Sequence, residues 1–373
     1  MTTSMAFRSS LARANRAIVY TQTGEPSQVL SALTYKPLPA PPPETVNIKY
    51  LLSPINPADV NVVQGVYPAK PSLTQLVKGH DVFVGGNEGL AEITQVGSGV
   101  SGLAAGDWVV MTKSQAGTWS SSRNVGALDV LKLPRVDGLT EVHGATMTVN
   151  PPTAYNMLHD YVKLERGDWV VQNGANSAVG QAVIQIAASR GWKTLNLVRS
   201  RPDIADLTEK LKALGGTEVL TYEDLADRSL TEKIMKDWTA GKGVRLGLNC
   251  VSGKDTTSMA RLFGHDAYLV SYGAMSKQPL SLPTSLFIFK NLTTTGFWQS
   301  RWYKTHTRDD KENLMKTLVD LVAQGKLKEP EHEILTIPAE DSDEAAGQRV
   351  RDIMTKIAAG QYGKKVLLKI EST

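Results

Sequence analysis

From Trp169 to Phe297, short apolar runs alternate with helical stretches, and this alternation most narrows the folds open to the chain. Strands separated by crossover helices pair in parallel, because a parallel neighbour needs a long return connection. The spacing predicts strands at Trp169–Gln172, Thr194–Val198, Glu218–Thr221, Leu246–Cys250, Ala267–Ser271 and Thr293–Phe297. Six such strands suit a complete doubly wound parallel sheet. After Trp298 the pattern is helical to about Gln324, and Lys365-Val366-Leu367-Leu368 reads as a final strand.

The first predicted strand leads into Asn173-Gly174-Ala175-Asn176-Ser177-Ala178-Val179-Gly180, then an amphipathic helix from Gln181 to Arg190 ended by Gly191. A strand, a turn of small residues and a helix N-terminus form an anion site, since the backbone can approach a pyrophosphate and free N–H groups face it. The strict GxGxxG spacing is absent, with Ser177 and Ala178 where glycine is common. About 20 residues on, where an NAD site carries an acid for the ribose hydroxyl, the chain reads Val198-Arg199-Ser200-Arg201-Pro202. Two guanidiniums suit a 2′-phosphate through charge-assisted hydrogen bonds, which favours NADPH; the plainer reading is a solvated surface pair.

Ahead of this region, Ala17 to about Val149 reads as strand-rich, with apolar stretches between Gly, Pro and Ser turns. Pro37 to Pro43 is too proline-rich for helix or inner strand and reads as an extended connection. Met1 to Arg16 carries Arg8, Arg13 and Arg16 among Ser, Thr and Ala, with the first acid at Glu25. That is the composition of an organellar transit peptide, or of a disordered N-terminus. The division expected is a transit or disordered segment at 1–16, a discontinuous strand-rich domain at 17–149 and 299–373, and a nucleotide domain at 150–298.

A net charge of +4 spread without basic blocks gives no electrostatic case for nucleic acid, and no apolar run approaches the roughly 20 residues needed to span a bilayer. The one cysteine, Cys250, excludes an internal disulfide and any cysteine-clustered metal site; its apolar surroundings read as a buried strand.

Several motifs stand in a fixed order: Ser53-Pro54-Ile55-Asn56-Pro57-Ala58-Asp59-Val60-Asn61, Gln64-Gly65-Val66-Tyr67-Pro68, Gly85-Gly86-Asn87-Glu88-Gly89, Gly117-Thr118-Trp119, Val149-Asn150-Pro151-Pro152-Thr153-Ala154-Tyr155, Tyr272-Gly273-Ala274-Met275 and Gly296-Phe297-Trp298. The set closely resembles the mitochondrial trans-2-enoyl thioester reductases of the medium-chain dehydrogenase/reductase superfamily, from about Ala17 to Lys369. The resemblance implies an α/β protein with a GroES-like strand-rich catalytic domain and a Rossmann doubly wound parallel-sheet domain. It further implies NADPH, a homodimer in the mitochondrial matrix, and an enoyl thioester substrate on acyl carrier protein or CoA. Tyr67 inherits the catalytic role. The cofactor positions carried over are Asn150, Asn176, Ser177, Ala178, Val179, Arg199, Arg201, Tyr272, Gly273, Ala274, Met275, Phe297, Trp298 and Lys364. Ser200 and Ala274 depart from the commoner acid and glycine, and Lys78-Gly79-His80-Asp81 looks like an addition beside the active site.

Conjugate reduction places negative charge on the thioester oxygen and then a proton on the α carbon. Tyr67 offers a phenolic donor with an ordinary pKa near ~10, and Asn56, on the turn before it, is expected to orient Tyr67 or the nicotinamide amide. No metal is expected: Asn87 stands where zinc dehydrogenases of the superfamily carry histidine, and an amide is a poor zinc ligand. Glu88 is expected to satisfy backbone N–H groups near the domain junction. Phe297 and Trp298 with Arg301 and Lys304 read either as an acyl wall with a basic rim for an acidic carrier protein or as an ordinary junction core. Two other readings stay open: a zinc-independent NADPH quinone or alkenal reductase, and a nucleotide-sensing protein that binds RNA or a receptor.

Overall fold

The structure is a computed structural model that describes residues 13–360 and 363–373. The expected leader lies outside the described residues up to position 12. Its proposed end at 16 does not hold, because the strand Asn15–Tyr20 is already part of a sheet. Arg16 is 2% exposed and donates to Asp343 Oδ1 at 3.3 Å, to the Pro338 carbonyl at 2.8 Å and to the Asp341 carbonyl. It belongs to the fold, so the arginine count that favoured a leader included one structural residue.

The described residues form two compact units, and the first comprises 13–135, 140–148, 331–360 and 363–373. One of its sheets has the order Ser31–Tyr35, Asn15–Tyr20, His80–Val84, Thr74–Val77, all antiparallel. The other runs His332–Ile337, Lys365–Ile370, Thr45–Pro54, Leu90–Val96, Trp108–Met111, Val130–Leu133, with Ser122–Gly126 also paired to Thr45–Pro54. The final strand therefore sits inside its sheet, parallel to His332–Ile337 and antiparallel to Thr45–Pro54, with Leu367 opposite Pro54 and Leu368 opposite Ser53. Val46, Ile48, Tyr50, Ile93 and Val109 bury one packed face. Trp119 is fully buried and its Nε1 donates to the Pro54 carbonyl at 3.1 Å. A Cβ at Gly85 would fall 2.3 Å from the Trp119 ring, so the Gly85-Gly86 and Gly117-Thr118-Trp119 motifs are two sides of one packing contact. Residues 37–43 lie between strands and form none, as proline dictates.

The second unit comprises 136–139 and 149–330. Its six strands, all parallel, have the order Glu218–Thr221, Lys193–Val198, Trp169–Asn173, Val244–Asn249, Phe263–Ser271, Thr293–Gly296. Numbered along the chain this is 3-2-1-4-5-6, the Rossmann order. The fourth and fifth strands begin earlier than expected, at Val244 and Phe263, because these two buried apolar residues pair with each other across an irregularity that interrupts each run. Cys250 is buried just beyond the fourth strand, and burial pushes its thiol pKa up.

Residues 299–330 cluster with this second unit, whereas the sequence reading gave them to the first. The helix Arg308–Ala323 buries Leu314, Met315, Leu318, Val319, Leu321 and Val322, and packs on the helix Asn150–His159. Periodicity reveals such a stripe but not which core it faces.

Candidate active site

In the first unit the chain turns from the strand Thr45–Pro54 into the helix Pro57–Val63. Proline at the first helical position has no N–H to leave unsatisfied, and Asn56 is the N-cap. Asp59 Oδ2 closes the turn by accepting the Asn56 backbone N–H at 2.8 Å. At the other end Gly65 adopts φ 79°, a left-handed conformation suited to glycine. The Val66 and Tyr67 N–H groups both donate to the Asn61 carbonyl, at 3.0 and 3.2 Å. Tyr67, half-buried, is thus fixed to the end of this short helix.

Asn56 is only 3% exposed. Its Oδ1 accepts from the Lys365 ammonium, and its side-chain amide lies against the Glu88 and Asp59 carboxyls. Around this contact lie Asp59, 2% exposed, and Glu88, fully buried. Burial pushes the Asp59 carboxyl up to about 7, against the Asn56 backbone N–H and the Lys365 charge. Burial likewise pushes Glu88 up to about 7, against Lys365. Lys365 itself is lowered by burial and supported by Glu88 and then Asp59. Glu88 was expected to satisfy backbone N–H groups; its Oε2 instead accepts the Thr148 hydroxyl at 3.4 Å. Asn87 Oδ1 accepts the Gln115 backbone N–H at 2.6 Å and so braces the loop before Gly117. Among the described residues no group of three or more His, Cys, Asp or Glu side chains is placed to hold a metal ion.

The second unit carries the other expected positions. Trp169–Asn173 ends at Gly174, φ 61°, where a Cβ would lie 2.6 Å from Cys250 Sγ. A Cβ at Gly180 would lie 2.5 Å from the Ala175 carbonyl, so both glycines are required by close approach. Ser177 caps the helix Ala178–Arg190 by accepting the Gly180 N–H at 3.1 Å. That leaves the opening N–H groups at Ala178 and Val179 for an anion. The neighbouring strand Lys193–Val198 delivers Arg199, exposed, and Arg201, half-buried. The Tyr272–Met275 loop is pinned to the sheet by Tyr272 N to the Asn249 carbonyl at 2.9 Å and Met275 N to the Cys250 carbonyl at 2.8 Å. One of the expected cofactor positions, Asn150, holds a buried amide nitrogen, Nδ2, without a partner, which fits a polar group supplied by a ligand, whereas the buried Tyr272 hydroxyl lies against Cys250 and Ser177. Phe297 is buried, and Trp298 has the Lys304 ammonium 5.7 Å from its ring centre. Lys364 belongs to the first unit, exposed and 3.6 Å from Glu331.

Sequence reasoning gave no role to Lys365 or Asp59, nor to Tyr222, whose hydroxyl accepts the Gly174 N–H at 3.1 Å. Lys365 is 309 positions from Asn56, and nothing in local pattern announces such a contact. Asp59 was within reach, as an acid three residues after an Asn N-cap.

Residues 42–150 match the family described as Alcohol dehydrogenase GroES-like domain, and residues 178–320 that described as Zinc-binding dehydrogenase. A mitochondrial enoyl-acyl-carrier-protein reductase of Yarrowia lipolytica is 41% identical over 95% of this chain and 92% of its own length. The Homo sapiens protein of the same name is 42% identical over 84% and 80%. Among solved structures, the mitochondrial 2-enoyl thioester reductase Etr1p/Etr2p heterodimer from Candida tropicalis matches with a TM-score of 0.87 at 36% identity, covering 95% of this chain and 99% of that one. The Etr1p/NADP/crotonyl-CoA complex matches with a TM-score of 0.88 at 35% identity and the same coverage. The chain therefore belongs to the mitochondrial enoyl-acyl-carrier-protein reductases, within the medium-chain dehydrogenase/reductase superfamily.

Proposed function

We propose that the chain reduces the 2,3 double bond of trans-2-enoyl thioesters, on acyl carrier protein or CoA, to the saturated acyl thioester in mitochondrial fatty acid synthesis, using NADPH. The observation that carries this reading is the anchoring of Tyr67 at the end of Pro57–Val63, in a chain 41% identical to a reductase of that name over nearly its whole length. When bound, NADPH supplies the hydride that forms the new C–H bond at the β carbon. The residues of the chain do the rest. As charge gathers on the thioester oxygen, the Tyr67 hydroxyl donates to it, and the phenol supplies or relays the proton that forms the second C–H bond at the α carbon. The turn at Asn176, Ser177, Ala178 and Val179 holds the pyrophosphate, and Arg199 and Arg201 hold the 2′-phosphate. Asn150, the Tyr272–Met275 loop, Phe297, Trp298 and Lys364 complete the cofactor contacts. Asn56 acts by fixing the start of the helix that leads to Tyr67, a role its burial supports.

The partner readings rest on surface chemistry. Ile288 and Phe289 are 67% and 72% exposed beside the open edge strand Thr293–Gly296, which supports a homodimer through that edge. Arg301 and Lys304, both exposed, suit docking of an acidic carrier protein.

The deciding experiment follows NADPH oxidation by the purified chain with crotonyl-CoA and, in parallel, a simple quinone. Crotonyl-CoA is expected to be the faster substrate by at least ~10²-fold in kcat/KM. Preference for the quinone would overturn the thioester reading, and no affinity for NADPH would overturn both.

A further inference from the structure

The mechanism above makes no use of three ionisable groups gathered around Asn56: Asp59 and Glu88, both buried, and Lys365, half-buried with its ammonium against Asn56 Oδ1. Drawing an ammonium partly out of water costs free energy, and methionine would fill the same space without that cost. Lys365 nevertheless lies on the C-terminal strand Lys365–Ile370, at the point where that strand meets the start of the helix Pro57–Val63. Two hydrogen bonds join them, from the Ile55 N–H to the Val366 carbonyl at 2.9 Å and from the Lys365 ammonium to Asn56 Oδ1.

We infer that Lys365 is a positioning residue for Tyr67: with Asp59 and Glu88 it locks the N-cap of the helix from whose far end the phenol hangs. This rests on the reading of Tyr67 as the proton donor. A helix of seven residues has little stability of its own, so its direction is set by what holds its ends. Pro57 and the Asp59 turn shape the start locally, while Lys365 ties its N-cap side chain to the C-terminal strand. The charges also fix register. A one-residue slip of the final strand would expose Lys365 and drive its neighbours into the cluster of two carboxylates, exchanging the ammonium for Val366 or for Lys364, which now pairs at the surface with Glu331. The cation therefore selects the alignment in which Leu367 faces Pro54, and with it the position of Asn56.

The test uses the full chain. Lys365→Met alone leaves carboxylates without their cation and is apt to unfold, so Glu88→Gln is added to remove one buried charge. The double variant is expected to melt near the parent, to bind NADPH within about threefold of the parent, and to lose ~10²-fold in kcat for crotonyl-CoA with little change in KM. Lys365→Arg, which keeps a cationic donor, should recover most of that kcat. Asn56→Ala removes the acceptor while keeping every charge, and should lower kcat by a similar factor. Parent-like kcat in either Asn56→Ala or the folded double variant overturns the inference. So does a double variant in which NADPH affinity and kcat fall together, since that marks a general loss of structure. A parent chain inactive on crotonyl-CoA would instead strike the reductase reading itself.

Discussion

Removing the guanidiniums at the end of Lys193–Val198 tests the cofactor assignment most directly. A charge-assisted hydrogen bond to a phosphate is worth about 1.5–3 kcal/mol when shielded, and an exposed ion pair about 0.2–1 kcal/mol. Arg201 is half-buried and Arg199 is exposed, which places Arg201 near the bottom of the first range and Arg199 near the top of the second. Since each 1.4 kcal/mol or so is tenfold in affinity, Arg201→Ala should weaken NADPH binding by ~10-fold and Arg199→Ala by ~5-fold. If the two act independently, the double variant loses ~50-fold. NADH lacks the 2′-phosphate, so its affinity should move by less than about twofold. The assay is a fluorescence titration of each reduced cofactor at low and high salt. The parent should lose NADPH affinity as salt rises, and the double variant should lose much of that salt dependence. Equal weakening of NADH and NADPH, or no weakening in the double variant, would refute the assignment.

Tyr67→Phe should lower kcat with crotonyl-CoA by ~10²-fold or more while cofactor titration stays unchanged, and near-parental turnover would remove the phenol from the chemistry. Glu88 bears on pH. Its folded value of about 7 lies above the ordinary 4.5, so the folded chain holds this proton more tightly than the unfolded chain. That contribution is complete below about pH 4.5 and drains away as pH rises through about 7. Glu88→Gln, neutral throughout, should flatten the corresponding fall in melting temperature; an unchanged profile would contradict it. Phe289→Lys should turn a dimer into a monomer by light scattering, and a persisting dimer would move the interface elsewhere. Arg16→Met should destabilise the first unit by about 1–3 kcal/mol, because it leaves the Pro338 and Asp341 carbonyls without their donor. Arg13→Met, at an exposed position, should change stability by less than ~0.5 kcal/mol.

The second unit was the more legible in sequence, because each of its strands is a short apolar run followed by its own turn and helix. The phosphate turn could be read at Asn173 to Gly180 for the same reason: strand, small residues and helix are contiguous. The first unit resisted. Arg16 looks like part of a leader until it is seen against Pro338, Asp341 and Asp343, more than three hundred positions away. The helix Arg308–Ala323 was visible as a helix, yet its allegiance depended on a partner face at Asn150–His159. Lys365 and Lys364 are indistinguishable in the sequence. One is half-buried with its ammonium on Asn56 and the other is solvated, and strand register alone decides between them.

The placement of Lys365–Ile370 inside its sheet also bears on how the protein is made. Between Thr45–Pro54 and His332–Ile337 there is a gap that only this strand fills, and the Thr373 N–H reaches back to the Ala14 carbonyl at 2.8 Å. On the ribosome, the six parallel strands from Trp169 to Gly296 are all available long before that gap can close. The nucleotide-binding half can mature early, while the sheet beneath Tyr67 waits for Lys365–Ile370 to emerge. A chain stopped short at position 360 should retain a protease-resistant core from the middle of the sequence and lose the rest to digestion.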